Sequence, residues 1–158
     1  MPRRAVLSDE QRMALLALPD DETTLVQHWT LSEDDLAIIV RRRRPHNRLG
    51  FAIQLCALRY PGRLLRPGEL IPDTPLAFVA EQLQIAPEVL ADYATRGPTR
   101  YEQLDALREG FGFTQFSRPL RAALQEWLLP IALTTTSGAG LARSLLGECR
   151  RRRIIVPG

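Results

Sequence analysis

Arginine is the residue type in this chain whose number and spacing could do chemistry. Arg41, Arg42, Arg43 and Arg44 are consecutive, and Arg48, Arg59, Arg63 and Arg66 follow closely. Arg96 and Arg100 flank a Gly-Pro turn with Thr99 between them, and Arg150, Arg151 and Arg152 sit at the end of the last helical stretch. A guanidinium offers planar, bidentate donors to phosphate oxygens and guanine edges, where lysine would offer a point charge. Clusters of this kind suit a polyanion. The net charge is only +3, because acidic residues gather elsewhere, at Asp20 to Glu22 and Glu33 to Asp35. It is the segregation of charge that supports a basic face. The lack of lysine carries no weight of its own, since Ala, Gly and Pro are plentiful too, as compositional bias would make them.

Positioning these groups falls first to the stretch from Arg41 to Arg66. Pro45 cannot continue a helix that carries Arg41 to Arg44, and Asn47 is a good N-cap. The spacing predicts a new helix from about Arg48 to Tyr60, stopping at Pro61-Gly62. At 100° per residue, Leu49, Phe51, Ile53, Leu55, Cys56, Ala57 and Leu58 surround it almost completely, so it is expected to be buried among other helices. A narrow strip of Arg48, Ala52 and Arg59 interrupts the apolar surface, with its arginines roughly 16 Å apart along the axis. Two readings are open for that strip: contact with an anion, or pairing of Arg48 and Arg59 with carboxylates on neighbouring helices.

The flanking elements read as helices with local start signals. Ser8 and Gln11 form a capping box, and Ser32 caps a helix that begins acidic, with Leu31 placed to staple onto Leu36. That helix would end in the four arginines, which its dipole also favours. Arg43 continues the apolar line Leu36, Ile39, Val40, so its guanidinium must snorkel or meet an anion. The proline-rich RLLRPGELIPDTP is the expected boundary between lobes 1–66 and 72–158. Thr74-Pro75 opens the next helix, and FVAEQLQIAPEVLADYA has helix-turn-helix rhythm, with a turn near Gln84 to Ala86. Glu88 and Asp92 are poor neighbours for phosphates, so a packing corner is the other reading. Thr99 is expected to cap a helix ended by Gly110, with Leu104 and Leu107 inside. A free helix N-terminus between Arg96 and Arg100 also favours an anion. Ser117 starts a helix that Pro130 bends or ends, TTTSGAG connects, and the last helix buries Leu141, Leu145 and Cys149 before Arg150. The closing Ile-Ile-Val-Pro-Gly suggests a chain about to enter another element, as in a piece of a longer protein.

Other chemistries find no residues. No G-x-x-x-x-G-K-[ST] loop, H-E-x-x-H or G-x-S-x-G is present, so no catalytic residues are assigned. Cys56 and Cys149 lack metal-ligand spacing and read as core thiols, with no metal and no cofactor expected. His28 and His46 read as surface or capping residues. Tyr60, Tyr93 and Tyr101 sit where core aromatics are expected, and the carboxylates sit at helix starts where capping accounts for them. No apolar run reaches the roughly 20 residues that span a bilayer, and the N-terminus lacks a signal-peptide core, so a soluble intracellular protein is expected.

The block RLGFAIQLCALRYPGR from Arg48 to Arg63, and TRYEQLDALREGFGF from Thr99 to Phe113, resemble the N-terminal region of the transposases of replicative transposons of the Tn-three family. The opening LSDEQ and closing RRRIIVPG fit the same region, so the resemblance covers nearly the whole chain. Gln103 departs from the histidine expected there. The resemblance implies a helical domain that binds duplex DNA at terminal inverted repeats. It also implies a magnesium-dependent acidic-triad catalytic domain lying elsewhere in a longer bacterial protein. Carried over by position, its DNA-binding candidates are Arg48, Arg59, Arg63, Thr99 and Arg100. The residues and the resemblance together give an all-α multi-helix bundle with helix-turn-helix-like elements. Its expected partners are double-stranded DNA and the remainder of the transposase, with a second copy as a further candidate and no membrane. The rivals are a protein-interaction module that assembles the transposase complex, a nuclease, and a structured-RNA binder.

Overall fold

The computed structural model describes residues 7–93 and 97–156, of which 97–100 are described in their backbone alone. Its helices are α1 (Asp9–Leu16), α2 (Glu22–His28), α3 (Glu33–Ile39), α4 (Pro45–Arg59), α5 (Asp73–Leu83), a 3-10 helix (Pro87–Asp92), α6 (Gly97–Phe111), α7 (Arg118–Thr134) and α8 (Gly138–Arg151). Two short strands, β1 (Thr114–Gln115) and β2 (Ile154–Ile155), pair in parallel with Thr114 opposite Ile154. The fold is thus mostly all-α. No helix among the described residues is long and apolar enough to cross a membrane.

Helix α4 is the axis of the structure. Every residue from Leu49 to Leu58 is buried, and each large apolar side chain removed from water contributes roughly 1.5–3 kcal/mol. It begins at Pro45 with Arg44 as N-cap, earlier than Asn47 would have it. Proline at N1 forfeits no hydrogen bond there, since that N–H would lack an intrahelical partner anyway. Around α4 lie α3, α5 and the 3-10 helix. The main core runs from Leu25 and Trp29 through α4 to Val79, Leu107 and Ile155. Its polar groups are matched: Trp29 Nε1 donates to the Tyr60 carbonyl at 2.9 Å, and Leu65 N–H donates to Gln54 Oε1 at 3.0 Å. Gln82 both accepts from Leu31 N–H and donates to the Trp29 carbonyl. A smaller cluster of Leu124, Cys149 and Ile154 joins α7, α8 and β2.

The serine caps form as their spacing predicts, whereas Thr74 lies inside α5, which starts at Asp73 with Pro72 as N-cap. Ser8 with Gln11, and Ser32 with Asp35, make reciprocal capping boxes, and Ser117 caps α7. Pro130 lies inside α7, which continues to Thr134. Helix α6 opens at Gly97, ahead of Thr99, and passes through Gly110; the chain turns at Gly112, whose φ of +71° glycine accepts without strain. Ile154 and Ile155 are buried in β2, so the apolar tail is used inside the fold. The segment after the Gln84 turn is the 3-10 helix, not a second α-helix, and it packs against α4.

The strip of Arg48, Ala52 and Arg59 does not face outward, because Ala52 is fully buried. Arg59 instead forms a bidentate pair with Asp35 at 2.7 Å for both bonds, which ties the end of α4 to the start of α3. Arg48 donates to the carbonyls of Arg42 and Val40, taking up orphan acceptors where α3 ends. These two attachments fix α3 antiparallel to α4. Arg63, 8% exposed, donates to the Leu16 carbonyl and pairs bidentately with Glu69, holding α1 and the proline-rich connection against α4. Burial alone would raise the Asp35 pKa, but bonds from Arg59 and from Ser32 N–H outweigh it and leave it below the ordinary carboxylate value.

Two expectations test this packing. A Cβ at Gly50 would lie 2.1–2.3 Å from the Tyr93 ring. Gly50→Ala is therefore expected to cost about 1–3 kcal/mol or more in urea unfolding, as overpacking does. Asp35→Asn leaves Arg59, about a third exposed, without its counter-charge, and is expected to cost roughly 1–3 kcal/mol at pH 7. A carboxylate with a lowered folded pKa stabilises above its unfolded value near pH 4 and ceases to do so as pH falls through the folded value. The stability gap between wild type and Asp35→Asn should accordingly close below about pH 4. Equal gaps at pH 7 and pH 2.5 would show that the charge pair is not the cause.

Candidate nucleic-acid interface

The structure sorts the arginines by what their guanidinium groups touch. At one end of α4 the turn between Ile39 and Pro45 carries Arg41, Arg42, Arg43 and Arg44. Arg41, Arg43 and Arg44 are exposed, and among the described residues their side chains make no hydrogen bond or ion pair. Helix α3 stops at Ile39, so Arg43 does not extend its apolar line and needs no snorkelling route. Arg42 lies over the Phe51 ring, 5.0 Å from its centroid, and its buried Nε has no hydrogen-bond partner among the described residues. Such a contact holds the charge without neutralising it.

At the other end of α4 a basin of about 590 Å³ opens between α2, α6 and the end of α8. Its walls include His28, Arg59, Phe111, Phe113, Arg150, Arg151 and Arg153. No carboxylate is among its described lining residues. Arg150 lies over the Tyr60 ring at 4.9 Å and donates to the Pro61 carbonyl at 3.4 Å. Arg153 donates to the Phe111 carbonyl at 2.8 Å. Arg151 and Arg152 both bind Glu148, which their hydrogen bonds lower to about pKa 2. His28 stacks on Tyr60 at 4.8 Å, and burial first, then the charge of Arg150, push its pKa below the ordinary value.

The two ends are connected by a row of two rings with a cation at each end. Arg42 covers Phe51, Phe51 meets Phe111 at 6.5 Å, and Arg59 covers Phe111 at 5.6 Å. Arg41 to Arg44 thus stand together at one end of this row, and Arg150 and Arg151 beside Arg59 at the other. Arg152 is drawn onto Glu148, and Arg63 stands apart in its own pair with Glu69. Arg66 is exposed on the proline-rich connection, where its backbone N–H donates to Glu69. Arg96 and the side chains of Thr99 and Arg100 lie outside the described residues. Glu88 and Asp92, on the 3-10 helix, are exposed.

Arg153, His28, Phe111 and Phe113 were not among the residues that sequence spacing singled out for binding. Arg153 had only its place in the run that begins at Arg150. It follows the C-cap Arg152 at φ +54°, a left-handed position usually given to glycine. His28 and the two phenylalanines had no local signal, because they come from elements distant in sequence. Cys56 is a core thiol, pushed up to about 12 by burial. Among the described residues no group of three or more His, Cys, Asp or Glu is placed to hold a metal ion.

The profile of the domain of unknown function DUF4158 matches residues 6–158. The chain is 43% identical over 157 residues to the transposase for transposon Tn21 of Escherichia coli, covering 99% of this chain and 16% of that protein. It is 39% identical to the transposase for transposon Tn501 of Pseudomonas aeruginosa, again over 99% of the chain and 16% of the relative. With the transposase for transposon Tn1546 of Enterococcus faecium it shares 34% identity over 98% of the chain, and 16% of that relative is covered. The chain thus spans about a sixth of the length of these relatives. It belongs to the DUF4158 family and is homologous to the N-terminal region of the Tn-three family transposases.

Proposed function

We propose that this chain binds duplex DNA at the terminal inverted repeats of a transposon, as the DNA-holding part of a longer transposase. The observation that carries the reading is the sorting of the arginines. Arg41, Arg43 and Arg44 stand exposed and unpaired among the described residues, while Arg59 and Arg63 are matched by Asp35 and Glu69. The free set, rather than the whole arginine count, is the phosphate-binding surface. A helix of 15 residues is roughly 22 Å long, about two-thirds of a duplex turn, so a duplex held at the α3–α4 turn can extend as far as the other end of α4. Phosphate contacts fix position; sequence readout needs side chains at base edges as well. Metal-dependent chemistry falls, on this reading, to the larger remainder of the transposase.

Exposed Leu129 and Leu133 on α7 favour a second role, contact with that remainder or with a second copy. The two roles are compatible, and DNA binding is the one tested first.

Arg43→Ala with Arg44→Ala is expected to weaken binding to a terminal-repeat duplex on the order of tenfold at 0.15 M salt. The slope of log affinity against log salt should become shallower by roughly 1.8, about 0.9 per lost contact. Gel shifts with repeat and scrambled duplexes at two salt concentrations measure both quantities, with circular dichroism confirming unchanged helix content. An unchanged affinity and salt slope in the folded double variant would remove the turn from the interface.

A further inference from the structure

Contact with a regular duplex does not account for the basin at the end of α8. Duplex phosphates lie on a convex surface and are met by exposed arginines such as those of the α3–α4 turn. The basin is instead concave, and its volume of about 590 Å³ falls in the range of pockets that enclose a small molecule. Its lining combines guanidinium groups with aromatic rings, the pairing that single-stranded nucleic-acid sites use to hold phosphates and stack bases.

The charge available inside it can be assigned group by group. Arg59 is matched by Asp35, and Arg151 by Glu148. Arg150 and Arg153 are fixed by the carbonyls of Pro61 and Phe111, which orient a guanidinium without cancelling its charge. Each uses one Nη in that contact, leaving further N–H groups to donate. The helix dipole accounts for arginines in the last turn of α8. It does not account for Arg153, which holds a left-handed backbone where glycine would be unstrained.

We propose that the basin receives a single unpaired nucleotide projecting from bound DNA, its phosphate against Arg150 and Arg153 and its base against Phe113. The domain would thereby distinguish a disrupted or opened site from uniform duplex. This rests on the DNA-binding reading above and adds to it a preference among DNA structures.

The test uses the whole chain and fluorescence anisotropy with three duplexes of one sequence: blunt, carrying one unpaired nucleotide, and carrying one unpaired abasic residue. The unpaired nucleotide is expected to tighten binding about tenfold over the blunt duplex, within the span of one base–aromatic stack. The abasic residue should lose most of that gain. Phe113→Leu, which keeps the apolar packing, should abolish the gain while leaving blunt-duplex affinity unchanged. Arg153→Gly, suited to the left-handed backbone, should fold and also lose the gain. Equal affinity for all three duplexes overturns the proposal, as does a Phe113→Leu defect of the same size on blunt and unpaired DNA. If blunt duplex fails to bind but a short single strand binds and loses affinity in Phe113→Leu, the basin stands and the duplex reading falls.

Discussion

A helix buried on all sides has no surface on which to carry charge, and this constraint organises the molecule. Helix α4 has an apolar residue, a glycine or a satisfied Gln54 at each position from Leu49 to Leu58. Its charged groups are therefore displaced to its two ends, where the neighbouring segments must deal with them. Arg48 does so by collecting the carbonyls that α3 leaves open, and Arg59 by gripping Asp35. The same bonds set the antiparallel pairing of α3 with α4. Arg63, just past the end of α4, reaches Leu16 and Glu69 and so anchors α1 and the proline-rich connection. Arg48, Arg59 and Arg63 are thus part of the attachment, and Arg41, Arg43 and Arg44 are left for solvent or a ligand.

Much of this was legible in the sequence because its causes are local. A capping box needs residues three apart, and both boxes formed; a helix with apolar residues on nearly every side must be buried, and α4 is. The destination of each guanidinium was not legible. Arg59 and Asp35 are separated by 24 positions, and Arg63 and the Leu16 carbonyl by 47, so their meeting depends on how the helices fold back. The sequence left contact with an anion and pairing with a carboxylate both open for Arg48 and Arg59, and distance along the chain could not choose between them. The segment from Pro87 to Asp92 was left open between a recognition helix and a packing corner for a related reason. Its apolar spacing suits a helix, but its route is set by Tyr93 lying where Gly50 leaves room on α4, and a short 3-10 turn provides it. The left-handed Arg153 broke a local rule, and such breaks are where function is most often found.

The nature of the partner, more than the number of arginines, decides what a basic surface can do. A carboxylate matches the guanidinium's charge and donors together, so Arg59 and Arg63 offer little to an incoming phosphate. A carbonyl or an aromatic face orients the group and leaves its charge in place, as for Arg42, Arg150 and Arg153. Preorganised charge of that kind binds an anion with less loss of side-chain freedom than a free arginine would incur. Arg41, Arg43 and Arg44, exposed and without a hydrogen-bond partner among the described residues, are suited to positioning on a phosphate backbone that can be met in many registers. Arg150 and Arg153, held by the backbone beside aromatic rings, are suited to a ligand of defined shape. A chain with a net charge of only +3 can therefore present two differently built basic surfaces. Asp35, Glu69 and Glu148 are committed to the scaffold, and both surfaces keep the charge those carboxylates do not reach.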